Sequence, residues 1–402
     1  MDKTLLIVDH ELKNDFGHHA EYVRRIASGA TRMGYKVVVG ANKECNGVSG
    51  DFTIDKFFSC GFWDLQVTVI REIKRRFLGI PPVMSEENEE IGRFGYELQT
   101  FIKRWKTTRE DAVFIPTFGW SEIYSLGWNK HPVPESMKGI KVLLRRELGE
   151  HGVVDGVGGV LLSLYINRVF RQSIRNMKAG AVEFFCDTSK LVEYYKGVHD
   201  ISASLIRPPA PSLEQRTNTN VNDRRRRIGF LGGLREEKGY SSLPGIIRMI
   251  ELRCKGRVSY LLQCEEEEFQ EMIGLDEMLD IEVERADTGV ASNVYNEILC
   301  SCDVIVLAYN GTSYRSRSSG IFAEAICLGI PVVHPVQLDH DMCLNGLFGF
   351  REKCELAEVI ETIIENYSNC KKKMEEISIG QMSKHSVDTL CSTLLGQELR
   401  SG

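Results

Sequence analysis

Residues 229–239 read Gly229-Phe230-Leu231-Gly232-Gly233-Leu234-Arg235-Glu236-Glu237-Lys238-Gly239. A short apolar run stops at a glycine pair, crosses a charged segment and leads into a helical pattern. A strand–glycine–helix junction of this kind belongs to α/β folds, where ligands meet the carboxyl ends of parallel strands. Glycine lets the backbone approach a ligand closely. A following helix offers free N–H groups and a positive dipole end. Arg235 and Lys238 add full charges, and an arginine can clamp a phosphate bidentately. Together these features fit a diphosphate, although a glycine-rich turn with a solvated, charged tip would carry the same residues.

A second junction lies downstream, at Ser318-Ser319-Gly320-Ile321-Phe322-Ala323-Glu324-Ala325-Ile326-Cys327-Leu328-Gly329-Ile330-Pro331-Val332-Val333. A small, polar segment opens a helix, and a strand follows that helix. Glu324 falls in an otherwise apolar stretch, where an unpaired carboxylate is costly. It must meet solvent, a cation or a ligand hydroxyl. Just upstream, Arg315 and Arg317 add two cations. Two helix N-termini aimed at one crevice would form an anion site.

Working outward, β-branched runs alternate with helical patterns along the whole chain. Strand candidates are Thr4–Asp9, Tyr35–Ala41, Ala112–Pro116, Ile140–Arg145, Val182–Cys186, Ser204–Ile206, Arg227–Leu231, Val258–Gln263, Ile281–Glu284, Val304–Ala308 and Pro331–His334. Helical stretches such as His18–Met33 and Glu87–Trp105 lie between them. This alternation predicts parallel sheets covered on both faces. The strands are too many for one ordinary sheet, so two doubly wound, Rossmann-like α/β domains are expected.

The domain boundary shows in Pro208-Pro209-Ala210-Pro211-Ser212, a polar stretch from Glu214 to Asn222, and then Arg224–Arg227 entering a new apolar strand. The expected division is 1–212, a linker at 213–226, a second domain at 227–381, and a C-terminal helix at 382–402 crossing back to the first. Charge divides at the same place: residues 1–212 carry 29 basic and 26 acidic side chains, and the remainder 21 and 30.

The 402 residues are 43% hydrophobic and 26% charged with a net charge of −6, which excludes a disordered chain and argues against a nucleic-acid binder. The longest apolar run, Gly158 to Ile166, is too short for a membrane span of about 20 residues. The start, Met1-Asp2-Lys3, has no basic leader before its first strand. The 12 cysteines form no C-x-x-C pair. A reduced, cytoplasmic protein is expected, without metal or cofactor, since no H-x-x-x-H or H-E-x-x-H spacing occurs. Ile70–Leu78 and Leu161–Lys178, the latter with Arg168, Arg171, Arg175 and Lys178, mix apolar and basic positions. Such helices either pack on a sheet or rest on anionic lipid, so peripheral contact at the inner face of a membrane is a further expectation.

In the first half, Asp15-Phe16-Gly17-His18-His19 opens the helix Ala20–Met33, and Gly34-Tyr35-Lys36-Val37-Val38-Val39 follows. Gly17 could approach a ligand, and His18 and His19 could meet an acceptor or leaving group or simply cap the helix. Leu143-Leu144-Arg145-Arg146-Glu147 ends another strand, and strand alternation places Arg145 and Glu147 on one face.

These segments together resemble the GT-B glycosyltransferases, specifically glycosyltransferase family 4. The glycine loop ending in Lys238-Gly239 is similar to that family's donor-phosphate loop. Glu324 to Val333 resembles its stretch Glu-Ala-x-x-x-Gly-x-Pro-Val-Val, and the first strand, glycine loop and helix resemble its N-terminal domain. The resemblance implies a sugar transferred from a nucleotide-diphosphate donor to an acceptor hydroxyl, with retention of configuration and no metal. It further implies that Arg235, Lys238 and Glu324 are catalytic and that Gly17, Gly232, Gly233, Ser319, Gly320 and Ile321 bind the donor. Thr288, in Ala286-Asp287-Thr288-Gly289, would lie by the base, and His18, His19, Arg145 and Glu147 would stand on the acceptor side. The implied partners are the nucleotide sugar and a glycan, lipid-linked or protein acceptor.

The sequence departs from the family twice. Ser316 stands where the first carboxylate of Glu-x7-Glu is usual, and Gly233 stands where the loop arginine is usual. Two other readings therefore stay open. One is a nucleotide-sugar epimerase on the same fold. The other is a non-catalytic nucleotide-sugar-binding scaffold.

Overall fold

The computed structural model describes residues 3–396 except 16, 80–85, 107, 109, 129–138, 148–156, 179–181, 212–224, 234, 275–280, 311–313 and 340. Two compact units emerge, Met1–Arg207 together with Leu390–Gly402, and Pro208–Thr389. Residues 212–224, most of the expected linker, lie outside the described residues.

The first unit runs β1 (Lys3–Asp9), α1 (Gly17–Arg32), β2 (Tyr35–Asn42), β3 (Thr53–Phe58), α2 (Phe62–Phe77), α3 (Glu86–Trp105), β4 (Ala112–Phe118), α4 (Trp120–Trp128), β5 (Ile140–Leu144), α5 (Val157–Lys178), β6 (Glu183–Cys186), α6 (Ser189–His199) and β7 (Ala203–Leu205). Its strands lie in the order β3-β2-β1-β4-β5-β6-β7, and every pairing is parallel. Leu5 to Val8 are fully buried, as expected for a parallel strand covered on both faces.

The second unit runs β8 (Arg226–Phe230), α7 (Leu243–Cys254), β9 (Val258–Gln263), α8 (Glu266–Ile273), β10 (Val283–Ala286), α9 (Ser292–Ser301), β11 (Val304–Val306), α10 (Gly320–Cys327), β12 (Val332–Pro335), β13 (Gly349–Phe350), α11 (Leu356–Glu365) and α12 (Tyr367–Lys384). Its parallel sheet has the order β10-β9-β8-β11-β12-β13. Successive residues of β11 face opposite sides. Val304 and Val306 enter one apolar cluster with Ile228, Ile247 and Ile360. Ile305 and Leu307 enter another with Leu299, Ala325 and Met374. This is the two-residue period of a strand between two helical layers.

Two expectations need correction. The C-terminal helix expected from 382 onward is not continuous: α12 ends at Lys384, and α13 (Val387–Leu395) starts anew. The break is made by Ser386, whose Oγ accepts from the Thr389 N–H at 3.0 Å and caps the second helix. The helix expected directly after the glycine loop is also displaced. Two 3-10 turns, Glu236–Lys238 and Tyr240–Ser242, intervene before α7. Gly239 separates them at φ +85°, and a Cβ there would strike the Ala308 carbonyl.

Candidate functional site

In the second unit the sheet order runs outward from β8 on one side and β11 on the other, so the chain's winding reverses between these neighbours. Ligands of open α/β sheets bind in the crevice at such a reversal. Both sequence junctions end there: residues 231–239 follow β8, and the segment leading to Ser319 follows β11.

Gly232 (φ +91°) and Gly233 (φ +71°) both occupy the left-handed region, which glycine adopts without a Cβ penalty. The Gly232 peptide is held from both ends. Its N–H donates to Gln263 Oε1 at 2.8 Å, and its carbonyl accepts from Lys238 Nζ. Gln263 Nε2 in turn donates to the Asp287 carbonyl at 3.1 Å, tying the loops after β8 and β10 together. A Cβ on Gly232 would collide with both Ile321 Cδ1 and Lys238 Nζ. The helix start that touches the glycine loop is therefore that of α10, not that of α7.

Ser319 caps α10, its Oγ accepting from the Phe322 N–H at 3.3 Å. Gly320 and Ile321 occupy the first turn, where helix amides lack intrahelical acceptors. Tyr309 lies beside them with its hydroxyl 3.4 Å from Ser319 Oγ. The Lys238 ammonium sits 6.0 Å from the Tyr309 ring centre. Lys238 has its pKa pulled down to about 8 by burial and by Arg235 and Arg317, with Glu237 opposing. Arg235 reaches outward, its side chain 65% exposed and 3.8 Å from Glu237.

Glu324 is half-buried and accepts a hydrogen bond from the Tyr295 hydroxyl of α9. Burial and the Glu324 charge together push Tyr295 well above the ordinary phenol range. Thr288 lies in the loop after β10, two strands from β8, and its hydroxyl donates to Glu265. The structure thus gathers Gly232, Lys238, Ser319 and Ile321, while Thr288 follows Asp287, whose carbonyl is linked to Gly232 through Gln263.

The first unit has its own reversal, between β1 and β4. Gly17 starts α1 at φ +80° and is exposed. His19 Nδ1 donates to buried Asp9 at 2.9 Å. Burial alone would lower the His19 pKa, but the Asp9 charge and hydrogen bond outweigh burial and Arg145, and hold it above its ordinary value. The His18 side chain lies outside the described residues. β5 ends at Leu144, so strand alternation does not extend to Arg145 and Glu147. Arg145 pairs with Asp187 at 3.2 Å, Arg146 stacks 5.0 Å from the Trp63 ring, and Glu147 is half-buried.

Sequence reading missed Asp9, His10, Glu122, Gln263, Tyr295 and Tyr309. His10 Nε2 lies 3.2 Å from Glu122 in the interior, ringed by Phe58, Phe62 and Phe94. Asp9 and Gln263 each close an apolar strand with a polar residue, and that was the signal available.

No family model matches this sequence, and no curated protein does. Solved structures do match. WaaG, a glycosyltransferase involved in lipopolysaccharide biosynthesis, aligns with TM-score 0.63 at 13% identity over 97% of this chain and 98% of its own. The α,α-trehalose 6-phosphate synthase of Burkholderia multivorans aligns with TM-score 0.62 at 10% identity over 98% of each chain. A glycosyltransferase of Rickettsia africae aligns with TM-score 0.58 at 13% identity over 98% of this chain and 97% of its own. The chain has the GT-B glycosyltransferase fold, two parallel-sheet Rossmann-like units.

Proposed function

We propose that this protein is a glycosyltransferase of the family 4 type, transferring a sugar from a nucleoside diphosphate to an acceptor hydroxyl with retention of configuration, in glycan or glycoconjugate biosynthesis. One observation carries the reading: the glycine loop, the Lys238 ammonium and the first turn of α10 converge at one sheet reversal. As the bond from the anomeric carbon to the phosphate oxygen breaks, negative charge collects on the diphosphate. Lys238 and the Gly320 and Ile321 amides would stabilise that charge as it develops. The acceptor oxygen bonds the same carbon from the same face, and its proton passes to the departing phosphate. Glu324, already held by Tyr295, would accept from a donor hydroxyl. A scaffold would bind the same nucleotide without turnover, and an epimerase would change the donor without an acceptor.

The test is thermal unfolding with UDP, GDP, dTDP, ADP and CMP, with and without sugars. A ligand at about 100 times its Kd stabilises the fold by about 2.7 kcal/mol. One diphosphate is expected to raise the Tm and so identify the base. If none does, the assignment fails.

A lipid-linked acceptor would give a role to one face of the first unit. Trp63, Val67 and Leu78 are exposed along α2 and just beyond it, and Leu164 is exposed on α5. Arg71, Arg168, Arg171 and Arg175 are exposed on the same two helices. No helix among the described residues is long and apolar enough to cross a membrane, so contact would be peripheral. Co-sedimentation with phosphatidylglycerol-containing vesicles, lost in neutral phosphatidylcholine and reduced by Trp63→Ser, is expected. Recovery with the anionic vesicles no greater than without vesicles would remove the membrane from the proposal.

A further inference from the structure

The glycine loop carries no cation at Gly233, and two arginines, Arg235 and Arg317, lie near Lys238. We propose that Arg317, rather than Arg235, is the second cation of the diphosphate site, and that the Glu237 carboxylate occupies it until a diphosphate takes its place. The proposal rests on the glycosyltransferase reading.

Four observations support it. Arg317 is sheltered, its side chain 13% exposed against 65% for Arg235. It is also fixed in direction, with its guanidinium 4.9 Å from the Tyr314 ring centre. Tyr314 stacks on Tyr309 with centroids 4.3 Å apart and a 30° tilt, and the Lys238 ammonium lies 6.0 Å from the Tyr309 centroid. The stacked tyrosines thus carry one cation against each ring. A diphosphate has two phosphoryl groups to satisfy, and a planar guanidinium beside an ammonium matches that need better than a cation directed to solvent.

The third observation is the state of Glu237. Its Oε2 is 3.6 Å from Arg317 Nη1 and its Oε1 is 3.8 Å from Arg235 Nη1. Both separations exceed a hydrogen bond. The carboxylate neutralises the pocket without being locked to either arginine, and it is one-third exposed. The fourth is the backbone beneath it. The Glu237 carbonyl accepts from the Asn310 N–H at 3.0 Å, joining the loops after β8 and β11. Exchange of carboxylate for phosphate therefore needs only a side-chain rotation.

The experiment is calorimetric titration with inorganic pyrophosphate, which has the diphosphate without base or sugar, and in parallel with UDP, GDP, dTDP and ADP. Loss of a charge-assisted contact corresponds to about 10- to 100-fold in Kd, and that weakening is expected for Arg317→Met. Arg235→Met should stay within about twofold. Glu237→Gln should tighten pyrophosphate about threefold or more by removing the competing charge, and that gain should vanish when combined with Arg317→Met. Arg317→Lys should retain part of the affinity, and melting without ligand reports whether each variant folds. Should Arg317→Met fail to fold, the signs for Glu237→Gln and Arg235→Met still decide. Weakening by Arg235→Met with indifference to Arg317, or no tightening by Glu237→Gln, overturns the assignment alone. Failure of the wild type to bind any of these probes overturns the glycosyltransferase reading itself.

Discussion

Lys238→Ala is expected to lower turnover by about 10²- to 10³-fold, the usual consequence of removing one group that stabilises charge forming in a water-poor site. The assay is transfer from the nucleotide sugar whose base stabilises the fold, with the variant's folding checked by circular dichroism. Unchanged turnover in a folded variant would remove Lys238 from the chemistry. Its altered basicity adds a second signature. Burial, with Arg235 and Arg317 nearby, brings Lys238 down to about 8. Only the protonated form attracts a diphosphate, so binding takes up a proton once the pH exceeds that value. Affinity should hold below about pH 8 and fall above it by up to tenfold per pH unit, whereas Lys238→Arg should bind evenly through the same range. The sign for stability is opposite. The unfolded chain, with an ordinary lysine, binds more protons between about 8 and the usual 10.5, so this group alone makes the fold more stable as pH rises through that window. The lysine is thus a liability to folding that a bound anion relieves.

Glu122→Ala is expected to destabilise the first unit by about 3–5 kcal/mol, because several buried polar groups lose their partner at about 1–3 kcal/mol each. Glu122 is fully buried. Its carboxylate accepts from the Gly119 N–H and the Ser121 hydroxyl, both at 2.9 Å, and lies 3.2 Å from His10 Nε2. Alanine would leave three polar groups unsatisfied beneath the Phe62 and Phe94 rings. His10 has no slack to absorb this, since its Nδ1 is already buried without a hydrogen-bond partner among the described residues. Glu122→Gln keeps the shape and part of the bonding and should cost less. Denaturant unfolding checks both, and a loss under about 1 kcal/mol for alanine would mean the dyad contributes little.

What the sequence disclosed depended on the distance over which the cause operates. Strands buried on both faces, such as Leu5–Val8 and Val304–Val306, announce themselves by composition, and their alternation with helices gives the doubly wound architecture. β3 escaped because it is an edge strand, its Asp55 and Lys56 set among half-exposed neighbours. β13 escaped because it is only two residues long. The glycine loop was legible because its glycines and cations lie within a few residues of one another. The partners that shape the site were not. Gln263 reaches Gly232 across 31 positions, Arg145 reaches Asp187 across 42, and His10 reaches Glu122 across 112. No local spacing encodes those pairs, because adjacency in a sheet follows strand order and not chain order. Arg235 and Arg317 were both visible as charges, but only their burial tells them apart.

The return of residues 390–396 to the first unit has a consequence for how the molecule is made. Leu390, Cys391 and Leu394 are buried, and the Cys391 thiol donates to the Ile26 carbonyl of α1 at 3.6 Å. A helix translated among the earliest thus waits for a segment more than three hundred residues later. During synthesis the whole of Pro208–Thr389 leaves the ribosome before its neighbour can close its own core. A nascent chain halted short of Leu390 would carry a finished second unit behind an unfinished first one. The same arrangement bears on proteolysis: a single cut in the stretch after Pro208 severs the backbone, but the two fragments stay together, because the second still holds the helix that completes the first.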